Sequence, residues 1–363
     1  MKKIIYITLI AVTALSACTK IEQGERTGRE ISFAVGSYAE RTKANEALNT
    51  SLLFRSRAFL HATGLSVQDM FGAGAGEQVG YVSGVWQAGA VSGNEYHWPV
   101  SDGSYVNFVS WYDKNGNPDT ANLSETSLQW TDRTIVADDD ILYADEAWRY
   151  SEDTSNGTHF TGDAITSGVP TLFHHALAQI CFKAKIASGK NVDGTTTWEI
   201  TLKNFSLAGV YKKGSLDLSN SDLGSTGTKA WTVTSLTEMG GEAGWTWDST
   251  GGTESFTDAN SSLALATTAQ DVLAMRTVLP QAVTSNMILS FTWTITTKVN
   301  GTTVLEEDVP YSKALNAVAP SITDWNMGYQ ITYTLSFDPT TEKIQIVPSL
   351  SNWVEVDTGD IVK

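Results

Sequence analysis

Cysteine is almost absent from this chain: 363 residues carry two, Cys18 and Cys181. With Cys18 consumed by the modification argued below, no internal disulfide can form and stability must come from packing. Basic residues are also scarce, 24 against 40 acidic ones, for a net charge of -16. That balance argues against nucleic acid as a partner, because phosphates need a basic footprint. Past the N-terminus no segment approaches the roughly 18 uninterrupted apolar residues of a transmembrane helix. Amphipathic helical periodicity is scarce as well. A Gly-x-Ser-x-Gly elbow, an HExxH helix and a phosphate-cradling glycine loop are all missing, so the residues point to no enzyme and no cofactor.

What is present begins with the N-terminus. Lys2 and Lys3 precede an apolar run, Ile4 to Ala14, that is too short to span a bilayer. Leu15-Ser16-Ala17-Cys18 follows, the pattern of a bacterial lipoprotein signal. Residues 1–17 are expected to be removed and Cys18 acylated, anchoring a linker, residues 18–29, to a membrane leaflet. Each buried methylene contributes about 0.8 kcal/mol, so several acyl chains hold firmly. A plain secretory signal with a chance cysteine at the cut site is the alternative.

Period-two alternation dominates the rest. Leu289, Phe291, Trp293 and Ile295 interleave with Ser290, Thr292, Thr294 and Thr296, and Ile331, Tyr333, Leu335 and Phe337 repeat the pattern. Such strands cover a core on one side only. Ala176 to Ile186 alternates likewise, with Cys181 on the side of Lys183 and Lys185. Further strands are expected over Ile31 to Tyr38, Leu52 to Leu60, Val79 to Trp86, Tyr105 to Tyr112, Trp198 to Leu207, Met275 to Pro280 and Lys343 to Val347. Pro348 is expected to break the last of these, with Leu350 to Val356 forming another short strand. Short strands separated by Gly, Ser, Asn, Asp and Thr favour antiparallel β-sandwiches over a parallel α/β sheet.

The length suits two domains in tandem. The polar stretch Ser151 to Gly168 reads as a linker, giving domains over residues 30–165 and 166–363. A second polar stretch, Ser219 to Ser262, reads as an elaborated loop of the C-terminal domain.

Rival chemistry finds little footing. His174 and His175 are adjacent, so in a strand they face opposite ways and do not share an ion; one packed and one exposed is the expectation. Asp138-Asp139-Asp140 lacks the patterned ligands and glycine of a calcium loop and reads as a solvated turn. The twelve tryptophans are the stronger rival. Indole faces stack on sugars, and Trp245 and Trp247 face the same way if extended, which supports a glycan-binding surface protein as the second hypothesis.

A set of ordered motifs then resembles a known family. They are Ile31-Ser32-Phe33 followed by Arg41-Thr42-Lys43-Ala44, Tyr96-His97-Trp98-Pro99 before Val106-Asn107-Phe108, and Phe173-His174-His175-Ala176-Leu177-Ala178-Gln179-Ile180. Val278-Leu279-Pro280-Gln281, Trp325-Asn326-Met327-Gly328-Tyr329 and a tail ending near Trp353 complete the set. Together they are similar to the fimbrillin family of Bacteroidales lipoproteins, subunits of type V pili. The resemblance implies two transthyretin-like, Greek-key β-sandwich domains and a surface location at the outer membrane and then in the fimbrium. The partners it implies are other pilin subunits, an arginine-specific protease and a host or bacterial surface ligand met in adhesion.

The resemblance further implies that the protease removes an N-terminal strand and that a neighbour's C-terminal strand fills the groove. Ile31, Phe33 and Val35 share one face of that strand, so its loss would uncover an apolar trough and unpaired backbone. Arg41 lies just past it and is the expected cleavage site. Cuts at Arg26 or Arg29 would leave the strand attached. The donor candidate is the tail, with Ile344, Ile346, Leu350, Trp353, Val354 and Val356 as its apolar residues. Its alternative fate is to complete its own domain.

Overall fold

The computed structural model describes residues 29–37, 50–72, 74–99, 103–136, 138–151, 168–220, 227–233, 245–247, 253–257 and 262–353. Over these the chain is strand and connection, with one four-residue helical turn, α1 (Leu315–Val318). The all-β expectation holds.

The first half contains β1 (Ser32–Ser37), β2 (Phe54–His61), β3 (Gln68–Asp69), β4 (Glu77–Val82), β5 (Val85–Ala88), β6 (Tyr105–Asp113), β7 (Ser127–Thr134), β8 (Ile141–Ala144), β9 (Glu146–Tyr150) and β10 (Val169–His175). Seven of these close a hydrogen-bonded ring. β6 pairs with β8, β8 with β10, β10 with β1, β1 with β5, β5 with β4, β4 with β2, and β2 returns to β6. A closed ring has no free edge, so every stave is paired on both sides. Its interior is aromatic, with Phe33, Phe54, Trp98, Phe108 and Phe173 all buried.

The second half supplies β11 (Ala178–Ile186), β12 (Val192–Asp193), β13 (Thr196–Tyr211), β14 (Lys213–Ser219), β15 (Thr228–Lys229), β16 (Thr232–Val233), β17 (Trp245–Trp247), β18 (Thr253–Thr257), β19 (Ser262–Ala264), β20 (Gln270–Val278), β21 (Gln281–Ala282), β22 (Ile288–Val299), β23 (Thr302–Ala314), β24 (Asp324–Trp325), β25 (Tyr329–Asp338) and β26 (Lys343–Asn352). Two sheets, β20-β11-β25-β26 and β12-β13-β22-β23, merge their inward residues into one core. Ile180, Phe182 and Tyr333 meet Ile200, Leu289 and Trp293 there. The alternation of Leu289 to Ile295 and of Ile331 to Phe337 is realised as read, each apolar member being buried.

Long-range pairing revises the boundary. β10 was expected to open the C-terminal domain, yet it lies between β1 and β8 in the first ring. Ser219 to Ser262 is not simply a loop of the second half either. β14 pairs with β7, β16 and β17 attach to β14, and β15 pairs with β9. A third core, holding Trp130, Leu216, Leu218, Leu279 and Trp353, joins residues from both halves.

Local corrections have local causes. Val79 to Trp86 is a hairpin, β4 and β5, turned at Ser83 and Gly84, both with positive φ as a tight primed turn requires. Pro348 interrupts nothing. β26 is an edge strand, paired to β25 on one side only, and its ladder runs unbroken from Lys343 to Asn352. Proline is tolerated where its missing N–H would have faced away from the ladder. The expected separate strand from Leu350 is therefore part of β26 as far as Asn352. Cys181 does sit on the lysine side, but it is buried, with its Sγ 3.3 Å from Thr332 Oγ1.

The acidic triplet is a solvated turn only at Asp138, which is exposed. Asp139 is buried against Arg133, Asp138 pairs with Lys114 and Asp140 with His175. His175 is buried and His174 only half so, close to the expected split.

Candidate functional site

The strand expected to be removable, β1, is a stave of the ring. Its approach is already clamped: Ile31 N donates to Tyr96 O at 2.8 Å, Trp98 N donates to Arg29 O at 3.0 Å, and Glu30 bridges His97. Five residues of β1, Phe33 to Ser37, then run parallel to Val169–Phe173 of β10, while Ser32 and Phe33 pair antiparallel with Gln87 and Trp86 of β5. The strand is held more extensively on the β10 side.

Alternation decides what β1 contributes. Ile31 and Phe33 are 1% and 3% exposed, Val35 is half-buried against the same core, and Ala34 faces outward. The Phe33 ring meets Phe54 and Phe108 edge-on, each at 5.7 Å between centroids, and Phe71 at 6.4 Å. Burying an isoleucine and a phenylalanine is worth roughly 1.5–3 kcal/mol each, before aromatic geometry is counted.

Gly168 was read only as the end of a polar linker, and it lies directly against this strand. With φ at +97°, it lies so near β1 that a Cβ would stand 2.5 Å from the Phe33 carbonyl carbon. Any side chain there would push on β1. Beside the entry clamp, Tyr96 donates its hydroxyl to Glu77 at 2.7 Å, and burial together with that carboxylate pushes its pKa up to about 12.

The tail is placed differently. Ile344 and Ile346 are half-buried against the second core, whereas Leu350 is 51% exposed. Trp353 is buried, its ring stacked on His175 at 4.0 Å and its backbone N–H donating to Gly328 O at 2.8 Å. The tail thus completes its own sheet as far as Asn352. Cys18, Arg41, Val354 and Val356 lie outside the described residues. The side chains of Trp245 and Trp247 cannot be weighed as a sugar platform, lying outside what is described; Trp111 and Trp293 are buried and Trp198 is half-buried.

Residues 73–353 match the family described as fimbrillin-like, and the chain belongs to that family. A fimbrial protein from Bacteroides vulgatus shares the fold with a TM-score of 0.51 at 16% identity, over 90% of this chain and 100% of that one. The fimbrial anchor protein Mfa2 from Porphyromonas gingivalis aligns over 90% of this chain and 98% of its own, at 9% identity and a TM-score of 0.30. No curated protein matches the chain.

Proposed function

We propose that this protein is a non-enzymatic structural subunit, shaft or tip, of a cell-surface type V pilus that serves adhesion. In this reading it is exported as a lipoprotein acylated at Cys18, cut after Arg41, and assembled when a neighbour's strand replaces β1. One observation carries the reading: β1 is an interior stave that, with Ile31 just before it, delivers Ile31 and Phe33 to the ring core, so its loss opens two strand edges and an apolar slot together. Arg41 follows the last residue of β1 by four positions, so a cut there frees the strand from everything downstream.

The tail of a second copy is the donor in this scheme. Donation of Lys343–Asn352 requires unzipping β26 from β25, which an edge strand permits at the cost of one ladder. Donation by the residues from Val354 onward requires no unzipping of that ladder. Treatment of purified precursor with an arginine-specific protease is expected to give an N-terminus at Thr42 and a ladder of SDS-resistant oligomers. A cut chain that stays monomeric and retains residues 29–37 overturns the scheme. Truncation after Trp353 locates the donor: polymers lost there assign it to the last ten residues, and polymers lost only on truncation after Pro348 assign it to β26.

A further inference from the structure

Away from the slot, three buried side chains with unused polar atoms converge on one strand pair. Glu146 of β9, Asn220 just after β14 and Lys229 of β15 are 0%, 4% and 6% exposed. Both Glu146 carboxyl oxygens, Asn220 Nδ2 and Lys229 Nζ make no well-formed hydrogen bond. Lys229 stands directly opposite Glu146 in the antiparallel register, a placement that brings Cβ atoms to about 4.5–5.5 Å. Asn220 is close enough to act on the Glu146 carboxyl, and Asn220 N is fixed by a bond to Thr126 O at 3.0 Å. The surroundings are aromatic. Lys229 Nζ lies 4.1 Å from the Trp148 ring centroid, and Trp231, two residues on, is buried with its indole N–H on Ala144 O at 2.6 Å.

We propose that Lys229 and Asn220 become joined by a side-chain amide bond, formed without an external reagent beside the Glu146 carboxyl. Glu146 holds its own proton in the folded protein, so the Lys229 ammonium sheds one to solvent, and the freed Nζ lone pair attacks Asn220 Cγ. The Cγ–Nδ2 bond breaks as Glu146 O–H protonates Nδ2, the second Nζ proton returns to the Glu146 carboxylate, and ammonia departs to take up a proton in water. The new amide nitrogen keeps one hydrogen, and neither oxidant nor nucleotide is consumed.

Three physical arguments support the step. Strand pairing holds the amine and carboxylic acid on one face and Asn220, just after β14, sets its amide against the same acid, replacing a slow bimolecular reaction by one between groups gathered around Glu146. Burial pushes the Glu146 pKa up to about 9, a rise reinforced by Glu125 and opposed by Lys229 and Asn220, so the group can carry and return a proton near neutrality. Leaving such groups buried and unpaired costs about 1–3 kcal/mol each. Amide formation removes the ammonium and the primary amide, and the Glu146 O–H can then donate to the new carbonyl.

The proposal does not depend on the pilus reading, since the bond would form in any folded copy. Peptide mapping of the folded full chain tests it. A protease that cuts before Asp222 separates Asn220 from Lys229 in sequence, so a link appears as two peptides that stay together and weigh one ammonia less than their sum. Trypsin should then fail to cut after Lys229. N220A and K229A should each release the two peptides and restore the tryptic cut, and E146A should leave most of the chain unlinked while circular dichroism reports retained strand content. Complete tryptic cleavage after Lys229 in the unaltered protein, with Asn220 either intact or merely hydrolysed to aspartate, overturns the proposal.

Discussion

The two ends of the described chain are both strands, yet they are held in opposite ways. β1 is paired on two sides and buries its apolar face in an aromatic ring core, whereas β26 is paired on one side and leaves Val347 and Leu350 about half exposed. The first is costly to lose and hard to replace except by another strand. The second is a long edge that gives up one ladder. The difference teaches that β1 is held by its packing as well as by the chain, so under the proposed assembly a cut would license its departure without loosening its grip.

The largest effect should come from the strand itself. F33A is expected to destabilise the first half by about 3–5 kcal/mol in urea unfolding, the range for emptying a buried phenylalanine. A value below about 1 kcal/mol would mean the ring does not depend on β1. Next comes G168A, which forces a Cβ against the Phe33 backbone at a positive φ. A loss of about 1–3 kcal/mol is expected, with faster proteolysis near residues 29–37 as its signature.

An intermediate effect separates the halves by pH. Glu146 keeps its proton in the folded state up to about pH 9, whereas the unfolded chain loses it near the ordinary carboxyl value. The native state therefore holds the extra proton across that window, and the first half should lose stability as pH rises from about 4.5 to about 9. E146Q should flatten the slope in thermal unfolding followed against pH. In the second half Asp338, held down to about 2 chiefly by the hydrogen bond from Thr340, should lose its contribution in the opposite direction, as pH falls through the low carboxyl range.

The smallest effect belongs to the edge. L350S is expected to change stability by no more than about 0.5 kcal/mol, as at other exposed positions, and a loss several times larger would show that β26 is more deeply committed than its exposure indicates.

Strands that alternate cleanly could be read from residue order, because one-sided burial stamps period two on the chain; Leu289 to Ile295 and Ile331 to Phe337 are the clearest cases. Strands flanked by a two-residue turn were run together at Ser83-Gly84, where valines and aromatics on both sides concealed the bend. Non-local pairing left no local mark. Nothing in Val169–His175 announces that its partners are residues 33–37 and 142–144, so the half to which β10 belongs could not be assigned from composition. The apolar face of β1 was legible, and its place between two staves was not. Glu146 carried no warning at all, since a buried acid in an otherwise ordinary strand looks like any surface carboxylate.

One strand serves both termini. β10 lines up with β1 along five residues and, at its last position, offers the imidazole on which Trp353 rests. Whatever empties the slot beside Val169–Phe173 deprives that ribbon of a neighbour, and the indole at the far end of the chain loses firmness in its footing. The first described strand and the last described residue, some three hundred residues apart in order, thus both lean on a single seven-residue span.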